Sequence, residues 1–113
     1  MGLRQPIERF ESVAIWSQSL KDQWGGDPLA EDPDKLCALE AFCELVGKDP
    51  DQLAEFCFLR RRETGERFAS KQRREQLREK LKEFEAMSGL SGREAQRRPN
   101  QVVSFLSHNG VLI

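Results

Sequence analysis

The chain has 113 residues, 33% of them charged and 38% hydrophobic, with a formal net charge of −1. That suits one globular helical domain with a modest core, and it excludes a collagen-like or strongly disordered chain. No apolar run approaches the ~18 residues that span a bilayer, and Met1-Gly2-Leu3-Arg4-Gln5-Pro6 lacks the apolar stretch of a signal peptide. The expectation is a single cytoplasmic domain over residues 1–113.

Apolar spacing predicts a first helix from about Ile7 to Trp24, with Ile7, Phe10, Val13, Ala14, Ser17, Leu20 and Trp24 on one stripe. Gly25-Gly26-Asp27-Pro28 ends it. Asp32-Pro33 opens a second helix, because Asp accepts a free N–H at the cap and Pro suits the first helical position. Its stripe is Leu36, Leu39, Phe42, Cys43 and Val46, and Gly47 is its stop. Asp49-Pro50 repeats the start signal, and Gln52 completes the pattern of a capping box. The third helix carries Leu53, Phe56 and Cys57 inward, extends towards Leu59 or Arg60, and loosens at Gly65.

A fourth helix is predicted from about Arg67 to Met87, with Phe68, Leu77, Leu81 and Phe84 as its apolar contacts. A fifth segment runs from Gly92 to about Asn109 behind a Ser91 cap, with Pro99 set to kink or restart it. Asn109-Gly110 closes that segment, and the only strand-like stretch is Val111-Leu112-Ile113. The pattern is all-α, a compact bundle of four to five helices.

Cys37, Cys43 and Cys57 are an odd set without a C-x-x-C pair, which argues against a disulfide framework or a zinc site. All three read as small buried hydrophobes in a reducing compartment. The chain has no tyrosine and one histidine, His108, so it holds no Tyr nucleophile and no His-pair metal site. No phosphate-binding glycine loop is present. The expectation is a non-enzyme with no catalytic residue, no metal and no cofactor.

The charge is unevenly divided. Residues 1–58 carry 5 Lys/Arg against 12 Asp/Glu, and residues 59–113 carry 13 against 7. The positive residues form three groups: Arg60-Arg61-Arg62; then Lys71, Arg73, Arg74, Arg78, Lys80 and Lys82; then Arg93, Arg97 and Arg98. Arg74, Arg78 and Lys82 stand four apart, a ridge that suits regularly spaced phosphates. Glu75, Glu79 and Glu83 form an acidic ridge beside it, so a solvated helix laced with ion pairs explains that stretch equally well. The final segment is more specific. Ser91, Arg93, Arg97, Arg98, Asn100, Gln101 and Ser104 combine phosphate donors with amides able to read adenine edges, and Glu94 is the sole acid after Glu85.

The order of these motifs resembles a known family. Leu39-x-x-Phe42-Cys43-x-x-x-Gly47-Lys48-Asp49-Pro50-Asp51-x-Leu53 is similar to a passage in the N-terminal, SAM-like core-binding domain of phage integrases and other tyrosine recombinases, archaeal-type members above all. Gly89-Leu90-Ser91…Val102-Val103-Ser104-Phe105-Leu106-x-x-Asn109-Gly110-Val111 resembles that domain's closing helix. The likeness runs from about Phe10 to Val111 and rests on apolar and capping positions. Ala95, where many relatives have Thr, and Pro99 depart from the pattern.

The resemblance implies a SAM-like orthogonal bundle that forms half of a clamp around double-stranded DNA. The other half would be the protein's own catalytic domain, expected C-terminal to residue 113, with self-association on DNA as an option. The expected DNA contacts are Lys71, Arg73, Arg74, Arg93, Arg97, Arg98 and Asn100, mostly to phosphate, with Asn100 reading a base. DNA integration or recombination and nucleoid association belong to the same expectation. The alternative is a helical protein–protein interaction module of an intracellular regulator, favoured by the acidic first half. A repressor domain is a third reading and requires a dimer surface that the sequence does not identify.

Overall fold

A computed structural model describes residues 5–113, and the reading of Met1–Arg4 lies outside the described residues. A single 3-10 turn, Ile7–Arg9, leads into helix α1, Glu11–Trp24. Then come α2 (Pro28–Glu31), α3 (Asp34–Val46), α4 (Pro50–Glu55), β1 (Phe58–Arg60), β2 (Arg67–Ala69), α5 (Lys71–Met87) and α6 (Gly92–His108). The architecture is mostly helical, with a small hairpin that the all-α expectation lacked.

The predicted first helix is divided at Phe10, whose extended backbone (φ −71°, ψ 137°) separates the turn from α1. A carboxylate from another helix caps α1. Ser12 donates its backbone N–H and its hydroxyl to Asp51 Oδ1, at 2.8 and 2.6 Å, satisfying a donor that the helix leaves orphaned. Val13, Trp16 and Leu20 are buried, whereas Trp24 is 74% exposed and Ala14 faces solvent. The inward stripe is therefore rotated from the predicted one, and the last turn of α1 overhangs the core.

Helix α3 begins one residue later than predicted, with Asp32 Oδ1 accepting from the Asp34 N–H at 3.2 Å. It ends on Gly47, whose φ of +70° is costly for a residue with a Cβ. The capping box at α4 forms as its sequence indicates: Gln52 N–H donates to Asp49 Oδ1 at 2.7 Å, and Asp49 N–H donates to Gln52 Oε1 at 3.0 Å.

Helix α4 stops at Glu55 instead of running on to Arg60, and α5 starts at Lys71 instead of Arg67. The residues between them pair as an antiparallel hairpin, Phe58 opposite Ala69, Leu59 opposite Phe68 and Arg60 opposite Arg67. The carbonyls freed at the end of α4 find new donors. Ser70 N–H donates to Cys57 O at 2.6 Å, and the Arg73 guanidinium donates to Phe56 O at 2.9 Å. The end of one helix and the start of the next thus satisfy each other through the hairpin.

Helix α6 packs on α3, α5 and α1 and is the element around which the others gather. Trp16 meets Phe105 edge-on with ring centroids 5.6 Å apart, and Phe42 meets Phe84 likewise at 5.4 Å. Trp16 also donates its indole N–H to Ser104 Oγ at 3.1 Å. Pro99 neither breaks nor restarts α6, which runs through it as one helix. The missing N–H costs a backbone bond, and burial of the ring against the core offsets that loss. After Gly110, with φ +87°, Val111 turns back, donates to Leu106 O at 2.8 Å and is 2% exposed. The predicted Val111–Ile113 strand does not form, because the tail plugs the end of the bundle.

Candidate nucleic-acid interface

Helices α5 and α6 are joined by a short connection and run side by side in opposite directions. Arg74 near the start of α5 reaches Leu112 O beyond the end of α6, and Arg98 early in α6 lies over Phe84 near the end of α5. A helix of 17 residues is about 25 Å long. Lys71 and Arg93 therefore stand at opposite ends of the pair, and the seven selected residues do not form one cluster.

Three of the seven come together. Arg93, Gln96, Arg97 and Asn100 share the outward face of α6 at three- and four-residue steps, and Ser107 lies on the same side two turns further on, all five exposed. That face carries no carboxylate of its own. Glu94 borders it, lining a cleft towards α3 with Asp34, Cys37, Leu90 and Arg97 itself. Arg93 and Asn100 make no ion pair or side-chain hydrogen bond among the described residues, whereas Arg97 faces Asp34 at 3.7 Å. Both members of that pair are well exposed, at 62% and 75%, so it is weak and open to competition.

The entry to α6 adds to this face. Ser91 takes the extended backbone of a cap residue, yet its side chain makes no capping bond. The first-turn N–H groups remain without a side-chain acceptor, in a helix whose N-terminus favours negative charge.

The remaining selected residues are placed differently. Arg73 is half-buried, donates to Phe56 O and stacks over the Phe56 ring with 4.9 Å to its centroid. Arg74 is half-buried, 3.4 Å from Leu112 O, with its Nε buried and unpartnered. Both guanidiniums are committed to the fold. Arg98 stacks over Phe84 at 4.9 Å. Lys71 is exposed and unpaired among the described residues, on the same flank of α5 as the equally unpaired Arg78. Further along, Lys82 faces Glu79 at 3.8 Å and Lys80 faces Glu83 at 3.3 Å, the ion-pair lacing that the paired ridges indicated.

Two further amide and hydroxyl candidates face inward. Gln101 Oε1 accepts from Lys35 Nζ at 2.8 Å, and Ser104 accepts from Trp16. His108 is half-buried and hydrogen-bonds Ser19 through Nδ1, which ties the end of α6 to α1. Residues Gln96 and Ser107, absent from the predicted contacts, complete the outward ridge. Their signal in the sequence was helical spacing: Gln96 is three residues from Arg93 and four from Asn100, and Ser107 is seven from Asn100.

The cysteines divide two to one. Cys43 and Cys57 are buried, as the sequence indicates, but Cys37 is exposed on the solvent side of α3. Burial pushes the Cys43 thiol up to about 12, with Asp49 and Glu40 adding to the effect. Burial also raises Cys57, against an opposing pull from Arg74 and Arg73. Among the described residues no group of three or more His, Cys, Asp or Glu side chains is arranged to hold a metal, and no helix is long and apolar enough to cross a membrane. The chain matches no family model, no curated protein and no solved structure.

Proposed function

We propose that this chain is a DNA-binding domain of the core-binding, SAM-like type, gripping a duplex for a tyrosine-recombinase catalytic domain. The observation that carries the DNA reading is the carboxylate-free outward face of α6, with Arg93, Gln96, Arg97, Asn100 and Ser107 beside an uncapped helix N-terminus. Arg93 and the first-turn N–H groups hold a phosphate, Arg97 exchanges Asp34 for a second, and Asn100 presents its amide to a base edge. The recombinase assignment rests on the sequence resemblance alone.

Few phosphates are neutralised by such a face, so binding is weak and salt-dependent. With two or three phosphate contacts, the slope of log K against log salt is about −2 to −3. Fluorescence anisotropy with a labelled duplex at 50–200 mM salt measures it. An affinity that does not change across that range counts against the reading.

A second reading, a helical protein-interaction module, is favoured by a specific observation: Arg97 faces Asp34, and Arg67 is gripped by Glu55, so the acidic half partly neutralises the basic half. On that reading, duplex DNA does not bind at 50 mM salt.

A further inference from the structure

We infer that the tip of the β1–β2 hairpin is a second contact for the DNA backbone, separate from the α6 face. This inference rests on the DNA-binding reading. The hairpin projects Arg60, Arg61 and Arg62, all exposed, and none of them is paired with a carboxylate among the described residues. Arg60 donates to Gly65 O at 3.0 Å, Arg61 lies over Phe68 with 5.0 Å to its centroid, and Arg62 has no partner among the described residues. The two acids of the turn, Glu63 and Glu66, are exposed and grip no cation among the described residues. Neutralisation is confined to the base of the hairpin. There Arg67 donates to both oxygens of Glu55 at 3.1 Å and stacks 3.8 Å over Phe58.

Arg60 stands directly opposite Arg67 across the ladder, but Glu55 already neutralises Arg67. The like charges that crowd together without a carboxylate partner among the described residues are Arg60, Arg61 and Arg62, and a polyanion lying across the tip offsets their repulsion. The partner's spacing also fits. Along one strand of a duplex the phosphate charges recur every ~3.4 Å of axis, so a tip about 7 Å across meets about two of them.

Backbone hydrogen bonds brace the turn beneath these side chains. Arg61 N–H donates to Glu66 O at 2.9 Å, and Gly65 N–H donates to Arg61 O at 2.8 Å. Gly65 adopts φ +72°, which lets the chain reverse without strain. Contacts made from such a tip are to phosphate and carry no sequence preference.

The test is anisotropy on a 20-base-pair duplex with the whole chain, comparing wild type, the double variant Arg61→Ala/Arg62→Ala, the single variant Arg62→Glu, Glu63→Gln, and the α6 variant Arg93→Ala/Asn100→Ala. Arg62→Glu leaves the Arg61–Phe68 stack in place, so it separates contact from hairpin stability, and circular dichroism melting confirms the fold of each variant. The expected result is a loss of ten-fold or more for the double variant at 0.1 M salt, equal on unrelated duplexes, with a salt slope shallower by about 1 to 2. Glu63→Gln should tighten binding. If the hairpin variants bind like wild type while the α6 variant is impaired, the hairpin inference is overturned and the DNA reading stands. If wild type binds no duplex, both fall.

Discussion

Replacing Asp34 with Ala should strengthen DNA binding, although the substitution removes an ion pair. Asp34 lies 3.7 Å from Arg97, with side chains 75% and 62% exposed. A pair so exposed contributes no more than about 1 kcal/mol. Asp34 is also the acid in the first turn of α3, where its charge adds about 0.3–1 kcal/mol. The domain should therefore lose about 1 kcal/mol of stability and remain folded. Arg97 meanwhile is released to a phosphate. Bound wild type already brings Arg97 to phosphate, so the salt slope stays the same, while the affinity rises by the cost of breaking the pair, up to about 1 kcal/mol or roughly five-fold. Anisotropy across a salt series reads both quantities on one sample, and urea unfolding supplies the stability. An unchanged or weakened affinity in a folded Asp34→Ala variant would refute the claim that the outward face of α6 meets phosphate.

Other outcomes follow from the packing. Trp16→Ala removes a fully buried ring, its edge contact with Phe105 and its bond to Ser104, and should cost about 3–5 kcal/mol in urea unfolding. Asp51→Ala strips both donors of Ser12 of their acceptor and should cost about 1–2 kcal/mol, although its position on α4 looks like that of an ordinary surface acid. A disulfide exchange reagent should titrate one thiol rapidly in the native chain, Cys37, and three after unfolding, since Cys43 and Cys57 are buried. Cys43 holds its proton more tightly folded than unfolded, so its contribution is complete below pH 9 and falls as pH rises from about 9 towards 12. Melting temperature should therefore drop over that window in wild type, and less in Cys43→Ala relative to its own neutral-pH value.

Much of the helical framework was legible because its signals are local. The capping box at Asp49 and Gln52, the Gly47 stop and the Leu39, Phe42, Cys43 stripe follow from hydrogen bonds and periodicity within a few residues. The hairpin was not. Phe58-Leu59-Arg60 and Arg67-Phe68-Ala69 contain no β-branched residue and are three residues long, so neither propensity nor alternation marks them. What fixes them is the supply of donors from Ser70 and Arg73 to the end of α4, a contact between elements. Trp16 was missed for a related reason. Trp24 extends the same apolar periodicity, and only the docking of Phe105 and Ser104 shows which indole lies inside. At the candidate site, the four-residue spacing of Arg93 and Arg97 puts both on one side of α6, where the structure also places Asn100. It could not show that Arg73 and Arg74 are turned towards backbone carbonyls, because that depends on Phe56 and Leu112 arriving from distant parts of the chain.

Titration of isotope-labelled protein with a short duplex, followed residue by residue by amide chemical shift, addresses the interface directly. The account predicts that the shifts fall on Ser91 to Ser107 along the outer side of α6, with a second group at Arg60 to Gly65, and fade as salt is raised. Shifts concentrated on the acidic helices α1 and α3, or none at 50 mM salt, would contradict it.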